Sequence, residues 1–259
     1  MPCSRQIFIK SVHKPLPEMK FLITGGSGAL GSSLKKVFKD AICTTHAEMD
    51  VTSSSSVNKI ILMYKPDALI HAAALVGIRE CEENKKKAWL ANVEGTQNIV
   101  NALKKLNNNC YLIYMSTACV FAGEDKKFYT EDDIPVPKNY YSLTKLCGEI
   151  VVRQYGNSCI IRTNFAPKQQ WKYPKAFIDR FGTYLFSDNV AEGIYDVYKK
   201  KEKGIVHIVG DRRMSMYELA LAAGSKNIDK MTLDEYKGPP LTVDMSLSTK
   251  IWKKYKIIQ

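Results

Sequence analysis

Short apolar runs alternate along the first part of the chain with longer stretches in which apolar positions recur every three or four residues. The short runs are typical of buried strands and the longer stretches of amphipathic helices. This pattern predicts strands over residues 20–24, 41–45, 67–72, 110–116 and 158–162, and helices over residues 29–38, 54–64, 83–106 and 140–155. Apolar strands that alternate with helices indicate a parallel sheet covered on both faces, so we predict an α/β fold.

The pattern loosens after residue 165, where Trp171 and Tyr173 lie between two prolines. We predict an irregular segment there, followed by helices over residues 189–201, 216–223 and 249–255 and a strand over residues 205–209. The chain is therefore expected to contain a larger domain over residues 19–165 and a small C-terminal lobe over residues 166–259, whose elements can interleave with the first.

Residues 1–18 contain basic side chains but lack the continuous apolar core of a secretory signal. We interpret them as a disordered extension or an upstream alternative start before Met19, in preference to a targeting peptide. Elsewhere, no apolar run approaches the roughly 20 residues that a membrane-spanning helix needs. We therefore expect no membrane association.

The composition is 45% hydrophobic and 25% charged, which is ordinary for a soluble globular protein. The 38 Lys and Arg residues exceed the 26 Asp and Glu residues and give a net charge of +12. Lysine runs at residues 85–87 and 199–201 are typical of solvated helix faces, although such an excess also attracts anionic small molecules. Because no nucleic-acid-binding motif accompanies the charge, we infer no specific nucleic-acid partner.

The seven cysteines include no Cys-x-x-Cys pair, and the four histidines show no ligand spacing. An odd number of cysteines in mostly apolar segments indicates buried thiols in a reducing cytoplasm, not a disulfide framework or a zinc site. We interpret His71 and His207 as strand residues in preference to metal ligands. The expected protein is cytoplasmic and has no metal site.

A glycine-rich turn follows the first predicted strand and opens the first helix. Gly25, Gly28 and Gly31 have the spacing G-x-x-G-x-x-G. Such glycines permit a tight turn, close approach of the backbone to a pyrophosphate and close packing of the helix on the sheet. The helix N-terminus supplies free N–H groups to the anion. We therefore expect a dinucleotide cofactor to contact Gly25, Ser27, Gly28, Ala29, Leu30 and Gly31.

The end of the second strand bears on the choice between the two nicotinamide dinucleotides. An acidic residue there would bind the ribose hydroxyls and repel a phosphate. Thr44, Thr45 and His46 occupy this stretch, without an early carboxylate. Asp50 and Val51 come later and are better placed to touch the adenine edge. NADP(H) is favoured over NAD(H), although no arginine supplies a clear 2′-phosphate clamp.

Tyr141 and Lys145 are four residues apart in a predicted helix, so their side chains share one face. A tyrosine acts as a general acid near neutral pH only if its pKa falls from about 10, and a neighbouring cation lowers it. Tyrosine and lysine often meet at this spacing by chance. The pair gains meaning from the motifs that accompany it.

Those motifs stand in a characteristic order. After the glycine turn come HAAA at residues 71–74, NVEGT at 92–96, STACVFAG at 116–123 and YSLTKLCGE at 141–149. With these motifs the chain resembles the extended short-chain dehydrogenase/reductase superfamily and, within it, the dTDP-4-dehydrorhamnose reductase branch. The resemblance implies a doubly wound parallel Rossmann sheet with a small C-terminal substrate-binding lobe.

The resemblance also implies residue roles. Thr117 matches the hydroxyl that hydrogen-bonds the substrate carbonyl oxygen, and Tyr141 matches the proton donor. Lys145 matches the lysine that binds the nicotinamide ribose and lowers the pKa of the tyrosine. Further cofactor contacts are implied for Ala72, Ala73, Ala74 and Asn92.

Two departures from the branch leave the exact sugar open. Ala118 and Cys119 stand where the branch has Asp and Tyr, and Arg79 replaces an acidic residue. The absence of an Asp-Glu pair after Thr117 argues against a 4,6-dehydratase. Arginine suits a diphosphate through its planar fork, so Arg79 and Arg212 are candidate substrate residues. Asn164 is a third candidate.

The function that this sequence predicts is NAD(P)H-dependent reduction of a nucleotide-activated 4-keto sugar such as dTDP-4-dehydrorhamnose. One alternative is a nucleotide-sugar 4-epimerase with tightly bound NAD. Another is a noncatalytic regulatory subunit that keeps the cofactor fold, like the regulatory subunits of methionine adenosyltransferase. A homodimer is the assembly we consider.

Overall fold

The computed structural model describes residues 19–124 and 128–257. The α-helices are α1 (Ala29–Val37), α2 (Ser54–Tyr64), α3 (Ile78–Glu83), α4 (Lys85–Trp89), α5 (Gly95–Leu106), α6 (Tyr140–Arg153), α7 (Ser187–Lys200) and α8 (Met216–Ala222). The strands are β1 (Phe21–Thr24), β2 (Ile42–Thr44), β3 (Ala68–His71), β4 (Tyr111–Met115), β5 (Ser158–Arg162), β6 (Phe165–Ala166), β7 (Lys175–Phe177), β8 (Phe181–Gly182), β9 (Leu185–Phe186), β10 (Gly204–His207), β11 (Val209–Gly210), β12 (Met214–Ser215), β13 (Asp229–Met231), β14 (Asp244–Met245) and β15 (Lys254–Tyr255).

Six parallel strands form the central sheet in the order β10-β5-β4-β3-β1-β2. Their side chains are buried on both faces because helices cover both. Leu34 of α1 and Ile194 of α7 pack in one hydrophobic cluster, and Val57 of α2 and Ile99 of α5 pack in the other. This arrangement confirms the predicted doubly wound parallel sheet.

Residues on both sides of the expected domain boundary build the central sheet. Strand β10 pairs with β5, and α7 packs against α1, although both elements lie in the range 166–259. The other C-terminal strands form small sheets, such as the three-stranded β12-β8-β14 sheet. The C-terminal range therefore supplies both a part of the large sheet and a smaller layer beside it.

The helix predicted over residues 83–106 is confirmed from residue 85 onward, where α4, a π-helical turn and α5 follow one another without a break. The structure has α3, α4 and α5, with a break at Asn84 and a π-helical turn over Leu90–Glu94. The π turn contains the fully buried Asn92, whose amide bonds Leu75 and Thr144. Such turns are frequent at functional sites because they redirect a side chain.

The helix predicted over residues 249–255 is wrong, since this segment leads into strand β15, which pairs with β11. The Glu131 carboxylate accepts hydrogen bonds from the Thr249 hydroxyl and the Lys250 amide at the start of this segment. The prediction for residues 1–18 concerns a segment outside the described residues. Within the described ranges, every helix is too short or too polar to span a lipid bilayer.

Candidate active site

The glycine turn between β1 and α1 can be formed only with glycine at its key positions. Gly25 has φ +72°, and a Cβ there would lie 2.8 Å from the backbone nitrogen of Ala73. A Cβ at Gly31 would collide with the Gly25 carbonyl oxygen. The turn therefore lies directly against the end of β3, and α1 starts at this point.

A cleft of about 1010 Å³ opens in front of this turn. Its lining includes eight of the predicted cofactor residues, namely Gly25, Ser27, Gly28, Asp50, Val51, Ala72, Ala73 and Ala74. Leu30 and Gly31 are buried behind them in α1, and Ala29 is the exposed first residue of that helix. The arrangement leaves room for an elongated anionic ligand beside the helix N-terminus.

Part of the cleft lining comes from a lysine run that the sequence analysis assigned to a solvated helix face. It contains Lys85, Lys86 and Lys87 at the start of α4. Lys87 pairs with Glu80 at 2.8 Å and Lys85 with Glu82 at 3.7 Å. Lys86 has no carboxylate partner in the part of the chain that the structure describes. One sequence feature could have indicated this placement. The lysine run follows β3 by only fourteen residues, and the residues directly after β3 line the same cleft.

The rim at the end of β2 carries a carboxylate that the sequence analysis overlooked. Glu48 accepts hydrogen bonds from the Thr45 amide at 2.8 Å and the Thr45 hydroxyl at 2.9 Å. Asp50 likewise accepts from the amide and hydroxyl of Thr52. Both carboxylates are thus turned onto their own loop, while His46 lines the cleft beside them.

The three predicted catalytic side chains lie at the adjoining ends of β4 and α6. Asn139 caps α6 by accepting a hydrogen bond from the Ser142 amide, so the helix begins at Tyr140 and presents Tyr141 and Lys145 from its first turns. Thr117 follows β4, and its hydroxyl accepts from the Cys119 amide. Thr117 and Lys145 are buried.

The role of Lys145 in lowering the pKa of Tyr141 stays a prediction, because burial has the largest effect on that phenol in this arrangement. Burial raises the pKa of Tyr141 well above its ordinary value, and interaction with the Thr117 hydroxyl lowers it only in part. The Lys145 ammonium instead lies 4.2 Å from the centre of the Tyr114 ring. A phenol with a high pKa stays protonated, which is the form that a proton donor needs.

Burial also acts on Lys145 itself. It lowers the pKa of the ammonium to about 7, and the nearby Glu149 carboxylate raises that pKa in part. His71 is held neutral, because burial and the Lys145 charge lower its pKa to about 3. Its ring bonds the hydroxyls of Thr24 and Thr96, as expected for a strand residue and not a metal ligand.

Asn92 connects the cofactor cleft to the catalytic helix. Its amide oxygen accepts from the Leu75 N–H at 2.8 Å. Its amide nitrogen donates to the Leu75 carbonyl at 3.0 Å and to the Thr144 hydroxyl at 2.9 Å. The side chain predicted to contact the cofactor thus holds the loop after β3 against α6.

A second cavity of about 770 Å³ begins one residue beyond Leu75, at Val76. Arg79 lines it, as do Trp171 and Tyr173, whose rings meet edge to face at 6.0 Å. Its remaining lining includes Phe177, Arg180 and Tyr236, which the sequence analysis did not single out. The cavity combines aromatic faces with guanidinium groups and suits a base and an anion.

The structure does not bring the other predicted substrate residues to this cavity. Arg212 lies in a separate groove of about 330 Å³ with Arg213 and Glu218. Asn164 is buried, and its amide donates to the Met245 carbonyl at 2.7 Å. The position of Asn164 favours a packing role, whereas Arg212 is exposed in its groove.

Comparison with known proteins identifies the lineage of this site. A model of the RmlD substrate binding domain family matches residues 19–180. The chain belongs to this family. The resemblance to the extended short-chain dehydrogenase/reductase superfamily, inferred from the order of motifs, is thereby confirmed.

Individual family members extend the likeness over most of the chain. The dTDP-4-dehydrorhamnose reductase of Aggregatibacter actinomycetemcomitans is 27% identical over 242 residues, which cover 83% of this chain and 81% of that protein. Methionine adenosyltransferase 2 subunit beta of Xenopus laevis is 29% identical over 244 residues, covering 80% and 72%. The crystal structure of a dTDP-4-dehydrorhamnose reductase from Clostridium acetobutylicum has a TM-score of 0.81 at 27% identity, covering 89% and 90% of the two chains.

Proposed function

We propose that the protein is an NAD(P)H-dependent reductase of a nucleotide-activated 4-keto sugar, with an activity like that of dTDP-4-dehydrorhamnose reductase. One observation carries the proposal. Asn92 ties Leu75, which lines the dinucleotide-sized cleft, to α6, which carries Tyr141 and Lys145. The aromatic cavity begins at the next residue, Val76. The cofactor cleft and the proposed substrate cavity therefore meet at Leu75 and Val76, and Asn92 joins this point to the helix that carries the proposed proton donor.

The residues of the cleft fit a nicotinamide dinucleotide. Gly25 leaves no space for a side chain against Ala73, and the N-terminus of α1 offers free N–H groups to a pyrophosphate. When bound, the nicotinamide supplies the hydride. Residues expected to hold it are Gly25, Ser27 and Gly28 at the pyrophosphate, and Asp50 and Val51 toward the adenine.

The protein's own side chains manage the charge that develops on the carbonyl oxygen during reduction. The Thr117 hydroxyl and the Tyr141 phenol donate hydrogen bonds to that oxygen, and the phenol transfers its proton from Oη. The Lys145 ammonium stabilises the phenolate that is left. The high pKa of free Tyr141 keeps the proton in place until charge develops on the substrate.

NADP(H) is the proposed preferred cofactor. Glu48 does not line the cleft, and Oδ1 of Asp50 accepts two hydrogen bonds within its own loop, which leaves fewer carboxylate oxygens for ribose hydroxyls. His46 and the lysines of α4 contribute basic groups to the same cleft. This distribution favours an additional phosphate over free hydroxyls.

For the substrate, the proposed site is the cavity lined by Arg79, Trp171 and Tyr173. A nucleotide sugar presents a flat base and a diphosphate, which match aromatic faces and guanidinium groups respectively. The nucleotide and the sugar would be selected by side chains of this cavity.

A cytoplasmic location is proposed as well, because the cysteines in the described ranges are all free thiols.

A homodimer is proposed from the outer face of α6. Leu143 and Ile150, seven residues apart on that helix, are both exposed, with 39% and 57% of their surface accessible. Apolar side chains one helical repeat apart suit a second copy of the same helix. Light scattering at several protein concentrations tests the assembly.

The decisive experiment follows NADPH or NADH oxidation with a panel of nucleotide 4-keto sugars. Consumption of cofactor with one of them is expected, and Tyr141→Phe should bind cofactor normally but lose roughly 10²–10⁴-fold in turnover. Full activity of that variant would reject the mechanism. A tightly bound NAD that is not consumed would indicate a 4-epimerase.

The likeness to methionine adenosyltransferase 2 subunit beta favours one second candidate, a regulatory subunit. Such a subunit would bind the dinucleotide in the same cleft yet oxidise no cofactor with any keto sugar. It would also associate stably with a larger enzyme. Cofactor binding by calorimetry, measured beside the oxidation screen, separates the two functions.

A further inference from the structure

A buried arginine in the wall of the aromatic cavity has only weak acceptors around its charge. Arg180 directly precedes β8, lines this cavity and is 8% exposed. Its guanidinium donates from Nε to the Thr242 carbonyl at 2.9 Å, and from Nη1 and Nη2 to the sulfur atoms of Met216 and Met245 at 3.3 and 3.4 Å. Thioether sulfur is a weak acceptor, and a guanidinium has more N–H groups than these contacts use. The side chain is therefore held in place while its charge is poorly compensated.

The carboxylates closest to Arg180 along the chain and across the sheet have other partners. Asp179 accepts hydrogen bonds from the Leu233 amide with both of its oxygens. Asp244, on the strand paired with β8, binds Arg213 at 2.8 Å. Among the described residues, no carboxylate lies within ion-pair distance of the Arg180 guanidinium. A buried charge is stabilised mainly by an opposite charge, and the described part of the protein offers none to this group.

The rest of the cavity lining adds positive charge. Arg79 and Lys172 line the cavity, and neither pairs with a carboxylate of the described residues. One acidic residue, Glu80, also lines it, but its carboxylate binds Lys87 at 2.8 Å. The cavity therefore attracts an anionic ligand, and Arg180 is its buried cation.

A series of contacts connects Arg180 with the predicted catalytic hydroxyl. The Met245 sulfur that accepts from Arg180 also lies 3.2 Å from the Cys119 thiol. The Cys119 amide in turn donates to the Thr117 hydroxyl oxygen at 3.1 Å. The guanidinium thus lies only two side chains away from Thr117, which the proposed function places at the reacting carbonyl.

We propose that Arg180 binds the diphosphate of the nucleotide-sugar substrate and thereby sets the direction in which the substrate lies in the cavity. The base lies against the aromatic rings of Trp171 and Tyr173, and the sugar extends from the diphosphate toward Thr117. The fork of an arginine matches two phosphate oxygens, and the contacts that hold this guanidinium orient it before the ligand arrives. The proposal rests on the proposed function, because it takes the ligand to be a nucleotide sugar.

The test measures the binding of two anions by calorimetry, inorganic pyrophosphate and dTDP. Excess NADP⁺ or NAD⁺ is present throughout, so that the dinucleotide cleft does not compete for the probes. We expect Arg180→Met to lower the affinity for both probes at least about tenfold. Arg180→Lys keeps the charge without the fork and should retain part of the affinity. The control Arg212→Met removes an equal charge from a separate groove and should change neither affinity.

Thermal unfolding separates a binding role from a structural one. Methionine fills apolar space without a buried charge, so we expect ligand-free Arg180→Met to have a Tm close to that of the wild type. Pyrophosphate should raise the Tm of the wild type but not that of the variant. If Arg180→Met is unstable, Arg180→Gln repeats the test, because its amide can still donate to the Thr242 carbonyl. Folded variants that bind dTDP and pyrophosphate as tightly as the wild type would overturn the proposal, as would a wild type that binds neither probe.

These titrations need no turnover, so the two proposals fail in different ways. A protein that oxidises no cofactor with any keto sugar, yet binds dTDP through Arg180, would reject the reductase and keep this binding site. Turnover of a keto sugar together with undiminished dTDP binding in Arg180→Met would reject the binding site and keep the reductase.

Discussion

The Lys145 ammonium faces the ring of Tyr114 at 4.2 Å, which joins a residue of α6 to a residue of β4 as a buried cation–π pair. Gly148 permits this contact. A Cβ at position 148 would collide with the Tyr114 hydroxyl and lie 2.8 Å from its Cζ atom. The glycine in the motif around Tyr141 is therefore required by the approach of a strand side chain to the helix.

Gly148→Ala is expected to push Tyr114 from beneath Lys145. Overpacking of this kind costs about 1–3 kcal/mol, which exceeds the gain of up to about 1 kcal/mol from alanine in a helix. Activity should fall more than stability alone explains, and Tyr114→Phe in the same chain should restore part of both. Gly156→Ala is the control, since no atom lies within 4 Å of a Cβ there. Thermal unfolding and cofactor oxidation check the result; equal effects of the two glycine variants would contradict it.

The stability of the protein should depend on pH through Lys145. Burial lowers its pKa from 10.5 to about 7, so between these values the unfolded chain binds more protons than the native one. The contribution of Lys145 to the free energy of unfolding therefore rises with pH in that range, by at most about 1.4 kcal/mol per pH unit, and is least favourable below pH 7.

Lys145→Met removes this dependence. We expect the variant to exceed the wild type in stability by more at pH 6 than at pH 8.5. Denaturant unfolding at the two pH values measures this difference in the free energy of unfolding. Measurements above pH 8.5 are avoided because buried thiols with raised pKa values, such as Cys110 and Cys159, would also make the stability depend on pH there. If the difference in the free energy of unfolding between variant and wild type stayed constant with pH, the pKa of Lys145 would not be lowered by burial.

The lysines of α4 are expected to strengthen the binding of NADPH more than the binding of NADH. Replacing Lys85, Lys86 and Lys87 together by Gln removes positive charge from the cleft wall. Exposed ion pairs contribute roughly 0.2–1 kcal/mol each, so we expect NADPH binding to weaken on the order of fivefold and NADH binding to weaken less. The same change at residues 199–201, at the end of α7, is the matched control. If the affinities for NADPH and NADH fell equally, these lysines would not recognise the additional phosphate of NADPH.

The parts of the site that follow local rules could be predicted from the sequence. The glycine spacing between an apolar strand and a helix located the turn at Gly25 and Gly28, and the four-residue spacing located Tyr141 and Lys145 on one helical face. These features depend on neighbours within one or two turns of chain. Strands β1, β3, β4 and β5 were predicted for the same reason, since each contains at least three consecutive apolar residues.

What the sequence did not reveal depends on residues far apart in the chain. The π-helical turn at Asn92 was not predicted, and the amide there bonds Leu75 and Thr144, which lie 17 and 52 positions away. Strand β15 forms where a helix was predicted because it pairs with β11, more than forty positions earlier. The Tyr114 ring beneath Lys145 likewise has no sequence signal, since 31 residues separate the two.

The aromatic cavity should bind the nucleotide part of the substrate through Arg79. Hydrogen bonds to charged groups contribute about 1.5–3 kcal/mol, so Arg79→Gln is expected to weaken the binding of UDP or dTDP, used as probes, at least tenfold. Trp171→Ala should weaken it further by removing an aromatic face, while Trp171→Phe retains most of the affinity. Arg212→Gln provides the control, because Arg212 lies in a separate groove. Calorimetry on the four variants measures the affinities. If Arg212→Gln weakened binding more than Arg79→Gln, the diphosphate would lie in the groove of Arg212, and the aromatic cavity would lose its role as the nucleotide site.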